Sequence, residues 1–137
     1  MRTDLIVNNF VETAVKKGKL EIFEPNFRRN FIHIQDIVDA FLFSIKNFNK
    51  LKNNIFNLGL SSANISKINL ARKIKKIVPK TTVIINKKGN DPDKRDYYVS
   101  NKKIEKAGFK AKISLDDGIR ELNGIFQNCD IKFINNY

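Results

Sequence analysis

The chain has 137 residues, of which 42% are hydrophobic and 29% are charged, and its net charge is +12. This length suits one domain with an ordinary packed core. No stretch approaches the roughly 18 apolar residues that a membrane helix needs, and polar residues interrupt the apolar positions near the N-terminus. The sequence therefore predicts a cytoplasmic protein with neither a membrane span nor a secretory leader.

The composition argues against metal chemistry. Cys129 is the only cysteine and His33 is the only histidine. A single cysteine forms no internal disulfide, and a zinc site of the usual type needs several Cys and His ligands. We therefore expect no metal centre.

The basic charge has two interpretations. A charge of +12 favours polyanionic partners such as nucleic acids or a membrane surface. The chain is also rich in Lys, Asn, Ile and Phe, which an AT-rich genome over-uses, so diffuse charge on a solvated surface explains it equally well. Most phenylalanines fall at spacings typical of a core and do not alternate with basic residues, which disfavours a nucleic-acid surface. The charge alone therefore does not decide the function.

The predicted elements alternate between helices and strands. The clearest is a helix whose apolar positions recur every three to four residues from Leu5 to Val15, after a cap at Thr3 or Asp4 and before a stop at Gly18. In chain order, the other predicted elements are strands at 20–23 and 31–34 about a turn at 24–26, a helix from a cap at Asp36 to 45, a loop at 47–54, a strand at 55–58, a helix from a cap at Ser66 to 77, a strand at 82–85, a polar loop at 86–96, an extended piece at 97–99, a helix between a cap at Ser100 and Gly108, and a last helix from Ser114. This order predicts an α/β fold of the mixed α+β kind.

Five short motifs occur along the chain. They are Arg-Thr-Asp-Leu-Ile-Val-Asn-Asn-Phe at 2–10, Phe-Ile-His-Ile-Gln-Asp at 31–36, Asn-Leu-Gly at 57–59, Asp-Lys-Arg-Asp-Tyr-Tyr-Val-Ser at 93–100 and Ser-Leu-Asp-Asp-Gly-Ile at 114–119. In order and spacing they resemble the C-terminal half of the extended short-chain dehydrogenases, in the NAD-dependent epimerase/dehydratase family that acts on nucleotide sugars. The resemblance implies a substrate-binding portion at 1–126, followed by a C-terminal tail at 127–137.

Family features of the cofactor domain are missing from the sequence. In the family, a Rossmann domain binds NAD(P) through a glycine-rich turn, and a Tyr-x-x-x-Lys helix carries out the chemistry. The six glycines form no Gly-x-x-Gly-x-x-Gly motif. The one Tyr-x-x-x-Lys, from Tyr98 to Lys102, is rejected because Tyr98 is predicted to be extended and Ser100 to cap the helix between the two. We therefore assign no catalytic residue, expect no cofactor to bind this chain alone, and take NAD(P) as implied for the complete enzyme. Met1 resembles an internal family position, which predicts a truncated or split chain.

The resemblance implies four substrate-binding residues. Arg29 matches the family arginine that pairs with the diphosphate, where a guanidinium makes bidentate contacts that lysine cannot copy. Arg95 matches a second arginine on the phosphate or ribose side. Asn8 and Asn9 match the asparagines that open the substrate helix, and Asn9 is the better match. We expect Arg29, Arg95 and Asn9 to converge on one phosphate-binding surface.

The remaining motif residues are interpreted as structural. His33 and Asp36 complete the Phe-Ile-His-x-x-Asp pattern, but a lone histidine in an apolar segment is usually a satisfied structural group, and an Asp before a helix is usually a cap. Asp93 either orients Arg95 or favours a turn.

The sequence leaves three functions open. The leading one is the nucleotide-sugar-binding part of a nucleotide-sugar epimerase or dehydratase, inactive alone and completed by an N-terminal domain or a cofactor-binding partner chain, with no specific nucleic acid or membrane partner. The second is a stand-alone nucleotide or nucleotide-sugar binding module without catalysis. The third is a small basic protein that binds nucleic acid, for which the charge is the only support.

Overall fold

A computed structural model describes residues 2–86 and 95–129 of the protein. Within these residues the chain forms the elements α1 (Ile6–Lys17), β1 (Lys19–Ile22), β2 (Arg28–Asn30), α2 (Ile34–Lys46), α3 (Phe48–Leu51), a 3-10 helix (Ser61–Ala63), β3 (Asn64–Ser66), α4 (Lys67–Ile77), β4 (Thr82–Ile85), α5 (Lys102–Ala107) and α6 (Leu115–Asn128). The predicted mixed α/β fold class is confirmed. Among the described helices, none has both the length and the hydropathy needed to cross a membrane.

The chain divides into two compact units. The first unit consists of Met1–Phe27, Ser66–Arg95 and Asp116–Tyr137. It is built on a parallel pair of strands, β1 and β4, in which Leu20 lies opposite Val83. Side chains on β1 alternate between exposed and buried, so Leu20 and Ile22 enter the core. They are joined there by the apolar faces of α1 and α4, which bury Val11, Ala14, Leu70, Ala71 and Ile74.

The ends of α1 show which sequence signals were decisive. Its predicted stop is confirmed, because Gly18 has a φ of 62° and its N–H donates to the carbonyl of Ala14. The predicted cap is wrong, since Leu5 occupies the N-cap position without a side-chain bond. The carboxylate of Asp4 pairs with the Arg2 guanidinium instead, and this hydrogen bond lowers the pKa of Asp4.

The second unit consists of Arg28–Ile65 and Asp96–Leu115. Its small sheet pairs β2 with β3. Its core is formed by residues of α2, α5 and the segments beside them, namely Ala40, Phe43, Phe56, Leu58, Ile104 and Phe109. The rings of Phe43 and Phe109 lie 5.7 Å apart between centroids. α5 ends where predicted, at Gly108, which has a φ of 114°.

Two predicted strands of the second unit are wrong. The strand expected at 31–34 lies at 28–30, because Ile34 already begins α2. The segment expected as a strand at 55–58 has no assigned secondary structure. Two hydrogen bonds connect this segment to residues near α5. The Lys103 ammonium donates to the carbonyl of Ile55, and the side-chain amide of Asn57 donates to the carbonyl of Ser100. In addition, the predicted loop at 47–54 contains α3.

Other boundaries agree with the sequence. The Ser66 hydroxyl caps α4 by accepting from the N–H of Asn69, and β4 spans the predicted residues 82–85. The last helix begins directly after Ser114, with Asp116 and Asp117 in its first turn. The predicted polar loop at 86–96 falls largely outside the described residues.

Gly59 has no room for a side chain. A Cβ at this position would lie 1.5 Å from Oδ1 of Asn30, whose amide donates to the carbonyl of Leu60 over 2.9 Å. We expect Gly59→Ala to lower the free energy of unfolding by about 1–3 kcal/mol, because Asn30 must move and lose this bond. Urea denaturation measures the change. The control is Gly124→Ala within α6, where nothing lies within 4 Å and alanine should stabilise by about 0.5–1 kcal/mol; equal effects at the two sites would contradict the prediction.

Candidate functional site

Arg29 is held inside the second unit by its neighbours. Along β2, Arg28 is exposed and Arg29 is buried, with only 6% of its surface accessible. Its Nη1 donates to the carbonyl of Arg28 over 2.8 Å, and its guanidinium carbon lies 5.1 Å from the centre of the Tyr97 ring. A guanidinium on an aromatic face keeps its charge and has a defined plane. The side chain predicted to bind phosphate is therefore pre-positioned.

A second arginine fixes the segment that carries Tyr97. The Asp96 carboxylate accepts from the backbone N–H of Arg28 over 2.7 Å and from its Nε and Nη2 over 3.1 and 3.2 Å. Further along, the Tyr97 N–H points to the carbonyl of Arg28 at 3.5 Å. The hydrogen bonds from Arg28 hold the pKa of Asp96 below its ordinary value, and nearby Arg29 adds to this effect. In return, Asp96 raises the pKa of Arg28.

The depressed pKa of Asp96 makes a pH-dependent contribution to stability. The ionised carboxylate is favoured in the fold, so its contribution is present at neutral pH and is lost as the pH falls through the folded value, below about 4. We expect Asp96→Asn to be less stable than the native chain at pH 7 and the difference to shrink below pH 4, as measured by urea midpoints. Asp117→Asn, which removes an exposed ion pair with Arg120, is the control and should change little at pH 7. A difference for Asp96→Asn that stays constant down to pH 2 would contradict the assignment.

The segment before α5 has no assigned secondary structure. The Asn64 side chain accepts from the N–H of Val99 and donates to its carbonyl, both over 3.0 Å, and so takes the place of a neighbouring strand. α5 begins at Lys102 after an N-cap at Asn101, one residue later than the predicted cap. Tyr98 precedes this helix whereas Lys102 begins it. The prediction that they do not form a Tyr-x-x-x-Lys pair on one continuous helix is therefore confirmed.

The other predicted site residues lie in the first unit. The amide of Asn8 donates to the carbonyl of Arg2 over 2.7 Å, and Asn9 is exposed on α1. Arg95 is exposed at the beginning of the second described range. The convergence of Asn9, Arg29 and Arg95 stays a prediction. The role suggested for Asp93 falls outside the described residues.

His33 and Asp36 both form structural hydrogen bonds, but Asp36 does not have the partners of a helix cap. His33 is the N-cap of α2, and its Nδ1 accepts from the N–H of Gln35 over 3.1 Å. The prediction of Asp36 as a cap is wrong, because it lies within the first turn of α2. Its carboxylate is 1% exposed and accepts from the N–H groups of Lys112 and Ile113 over 2.9 and 3.0 Å. It thereby fixes the segment between α5 and α6.

Sequence reasoning did not assign roles to Arg28, Asp96 and Tyr97. Arg28 is adjacent to Arg29 and Asp96 is adjacent to Arg95, and Asp96 and Tyr97 both stand within the motif at 93–100. The contact joins positions 68 residues apart, so no local pattern shows it. The available signal was the acidic residue next to Arg95, which could have suggested a partner for an arginine.

Comparisons with known proteins identify relatives that are more than twice as long as this chain. No family model matches the chain. The chain is 26% identical over 121 residues to the GDP-L-colitose synthase of Yersinia pseudotuberculosis, covering 86% of this chain and 39% of that protein. It is similar to the solved structure of a GDP-D-glycero-L-gluco-heptose synthase from Campylobacter jejuni, obtained in the presence of NADPH, with 27% identity and a TM-score of 0.65 over 85% of this chain and 35% of the other. The UDP-glucose 4-epimerase of Thermotoga maritima, solved with UDP-glucose, shares the fold at 22% identity and a TM-score of 0.69 over 89% of this chain and 39% of the other. The chain thus spans less than half the length of each relative.

Proposed function

Since the chain is a relative of the extended short-chain dehydrogenases of the NAD-dependent epimerase/dehydratase family and corresponds to a C-terminal portion of them, we propose that it binds the nucleotide-diphosphate sugar of such an enzyme. The observation that carries the proposal is the fixed position of Arg29 against Tyr97. The resemblance assigns Arg29 to the diphosphate, whereas the neighbouring Arg28 forms an ion pair with Asp96.

The position of Arg29 suits a diphosphate for physical reasons. Its guanidinium is charged at every physiological pH and presents a planar set of N–H donors that matches phosphate oxygens. Tyr97 beside it is 39% exposed, whereas Arg29 itself is 6% exposed. A side chain already ordered by its neighbours loses little conformational entropy on binding.

Three further residues are proposed to contribute to the same ligand. Arg95 and Asn9 are exposed, and Asn8 is proposed to take part through the helix start that it shares with Asn9. The bond from Asn8 to the carbonyl of Arg2 already occupies part of its amide, which supports Asn9 as the stronger candidate. The binding portion is proposed to be 1–126, with 127–137 as a tail.

The cofactor is proposed to come from outside this sequence. It contains no glycine-rich turn of the kind that holds a dinucleotide pyrophosphate at a helix N-terminus. The heptose synthase that was solved in the presence of NADPH is almost three times as long as the matched region. We infer that the chain does not catalyse by itself and acts with a portion that binds NAD(P). Two relatives, at 26% and 27% identity, have GDP in their names, which makes a GDP-linked sugar the first substrate to test.

Titration calorimetry of the purified chain tests this proposal. We expect saturable binding of GDP-mannose or UDP-glucose, weaker binding of the nucleoside monophosphate that lacks the second phosphate, and no binding of NADPH. NADPH affinity in the micromolar range at physiological salt, or failure of both sugar nucleotides to bind, would contradict the proposal. The nucleic-acid alternative predicts tight binding of a particular oligonucleotide at about 150 mM salt, whereas diffuse charge predicts weak binding that falls steeply with salt.

A further inference from the structure

The Asp96 carboxylate interacts with both arginines of β2. It accepts three hydrogen bonds from Arg28, one from the backbone N–H and two from the guanidinium. Arg29 also contributes to the low pKa of Asp96, so the carboxylate lies within electrostatic reach of this second guanidinium. By charge alone, Asp96 would compete with a phosphate for Arg29, and removing it would strengthen the binding of an anion.

The hydrogen bonds indicate the opposite effect. The carbonyl of Arg28 accepts from Nη1 of Arg29 over 2.8 Å, and the N–H of Tyr97 points to the same carbonyl at 3.5 Å. Asp96 holds the other backbone polar group of Arg28, its N–H, over 2.7 Å. Asp96 therefore fixes the backbone of the residue whose carbonyl contacts both members of the stacked pair, Arg29 and Tyr97.

A second side chain holds the other end of the segment that carries Tyr97. The Asn64 amide accepts from the N–H of Val99 and donates to its carbonyl, both over 3.0 Å. Tyr97 thus lies between two attachments to distant parts of the chain, one at Asp96 and one at Val99. Because the segment has no assigned secondary structure, these side chains take the place of a sheet in ordering Tyr97.

We propose that Asp96 and Asn64 are positioning residues of the diphosphate site, which touch no ligand and strengthen its binding by holding the Arg29 guanidinium and the Tyr97 ring together. This inference rests on the proposed function, in which Arg29 binds the diphosphate. The guanidinium carbon lies 5.1 Å from the centre of the ring. If the pair were loosened, the ligand would have to order it on binding, at a cost in conformational entropy.

Calorimetry with GDP-mannose compares the native chain with Asp96→Asn and Asn64→Leu. We expect the affinity of each variant to be about three- to tenfold weaker. The control is Asp39→Asn, which removes the same charge from a carboxylate of the same unit that accepts from the Gln35 amide, and it should show no weakening. Circular dichroism confirms that each variant is folded, and since the two residues are tested separately, either variant suffices. Unchanged or tighter binding in a folded variant would overturn the role of that residue, and tighter binding by Asp96→Asn is the result that charge competition predicts.

A double-mutant cycle shows whether Asp96 acts through Arg29. In a chain that carries Arg29→Lys, the guanidinium that Asp96 helps to hold is already lost, so adding Asp96→Asn should change the affinity by less than about twofold. The full loss in both backgrounds would show that Asp96 acts independently of Arg29 and would overturn the positioning role.

Arginine Nε–Hε spectra of the free chain separate this inference from the proposed function. We expect the Arg29 signal to shift in Asp96→Asn without any ligand, while the signal of the exposed Arg120 stays in place. An unchanged Arg29 signal overturns the positioning role even where the native chain binds the sugar nucleotide. A shifted signal in a chain whose native form binds no sugar nucleotide overturns the proposed function alone.

Discussion

Replacing Asp36 with alanine will lower the free energy of unfolding by about 2–4 kcal/mol. The carboxylate is 1% exposed and accepts from the backbone N–H groups of Lys112 and Ile113. Removing it leaves both donors without their acceptor and opens a small cavity beneath α2, and each effect is destabilising. Urea denaturation followed by circular dichroism measures the loss.

Asp39→Ala is the matched control for this prediction. Asp39 lies on the same helix and accepts from the Gln35 amide over 3.0 Å at the surface. Its removal should change the free energy of unfolding by no more than about 0.5 kcal/mol. Similar losses for the two variants would show that Asp36 contributes nothing beyond a surface carboxylate on this helix.

The substitution Arg29→Lys will weaken the binding of a nucleotide-diphosphate sugar by about 1–3 kcal/mol, or roughly 5- to 150-fold. Lysine keeps the positive charge but loses the planar donor set and the stacking on Tyr97. Calorimetry with the sugar nucleotide measures the change, in the chain alone and in the enzyme reassembled with its cofactor-binding portion.

The control for Arg29 is Arg120→Lys on α6, at an exposed arginine paired with Asp117. We expect its affinity to equal that of the native chain. Thermal unfolding of both variants shows whether the fold is kept. Unchanged affinity in a folded Arg29→Lys chain would make Arg29 a structural arginine of the second unit.

The elements that sequence predicted well have local causes. Gly18 and Gly108 end their helices because a left-handed residue is needed there, and glycine adopts this conformation without strain. Ser66 caps α4 through its own hydroxyl. The pattern of β-forming residues at 20–23 and 82–85 marked the two strands that pair in the first unit.

The elements that sequence misplaced depend on distant partners. Residues 55–58 have a strand-like composition, but the carbonyl of Ile55 accepts from the Lys103 ammonium, 48 residues further along, and the Asn57 side chain donates to the carbonyl of Ser100. Asp36 resembles a helix cap locally, yet its carboxylate bonds to backbone groups 76 and 77 residues further along the chain. Such contacts exist only after folding, so a local pattern does not show them.

The same distinction applies to the candidate site. The family motif identified Arg29, but the residues that hold it, Arg28, Asp96 and Tyr97, come together only across two distant segments. The family motifs also include Asn8, Asn9 and Arg95, but they do not show which polar groups of these residues already form hydrogen bonds within the chain. The bond from Asn8 to Arg2 is a result of the structure alone.

NMR titration of the arginine Nε–Hε resonances tests whether Arg29 binds the diphosphate of a sugar nucleotide. The chain is labelled with ¹⁵N-arginine and titrated with GDP-mannose at physiological salt, and the Tyr97 ring resonances are followed in parallel. We predict that the Arg29 Nε–Hε and Tyr97 signals shift together and saturate at one ligand concentration, while the exposed Arg120 signal does not move. An Arg29 signal that stays in place at saturating ligand would contradict it.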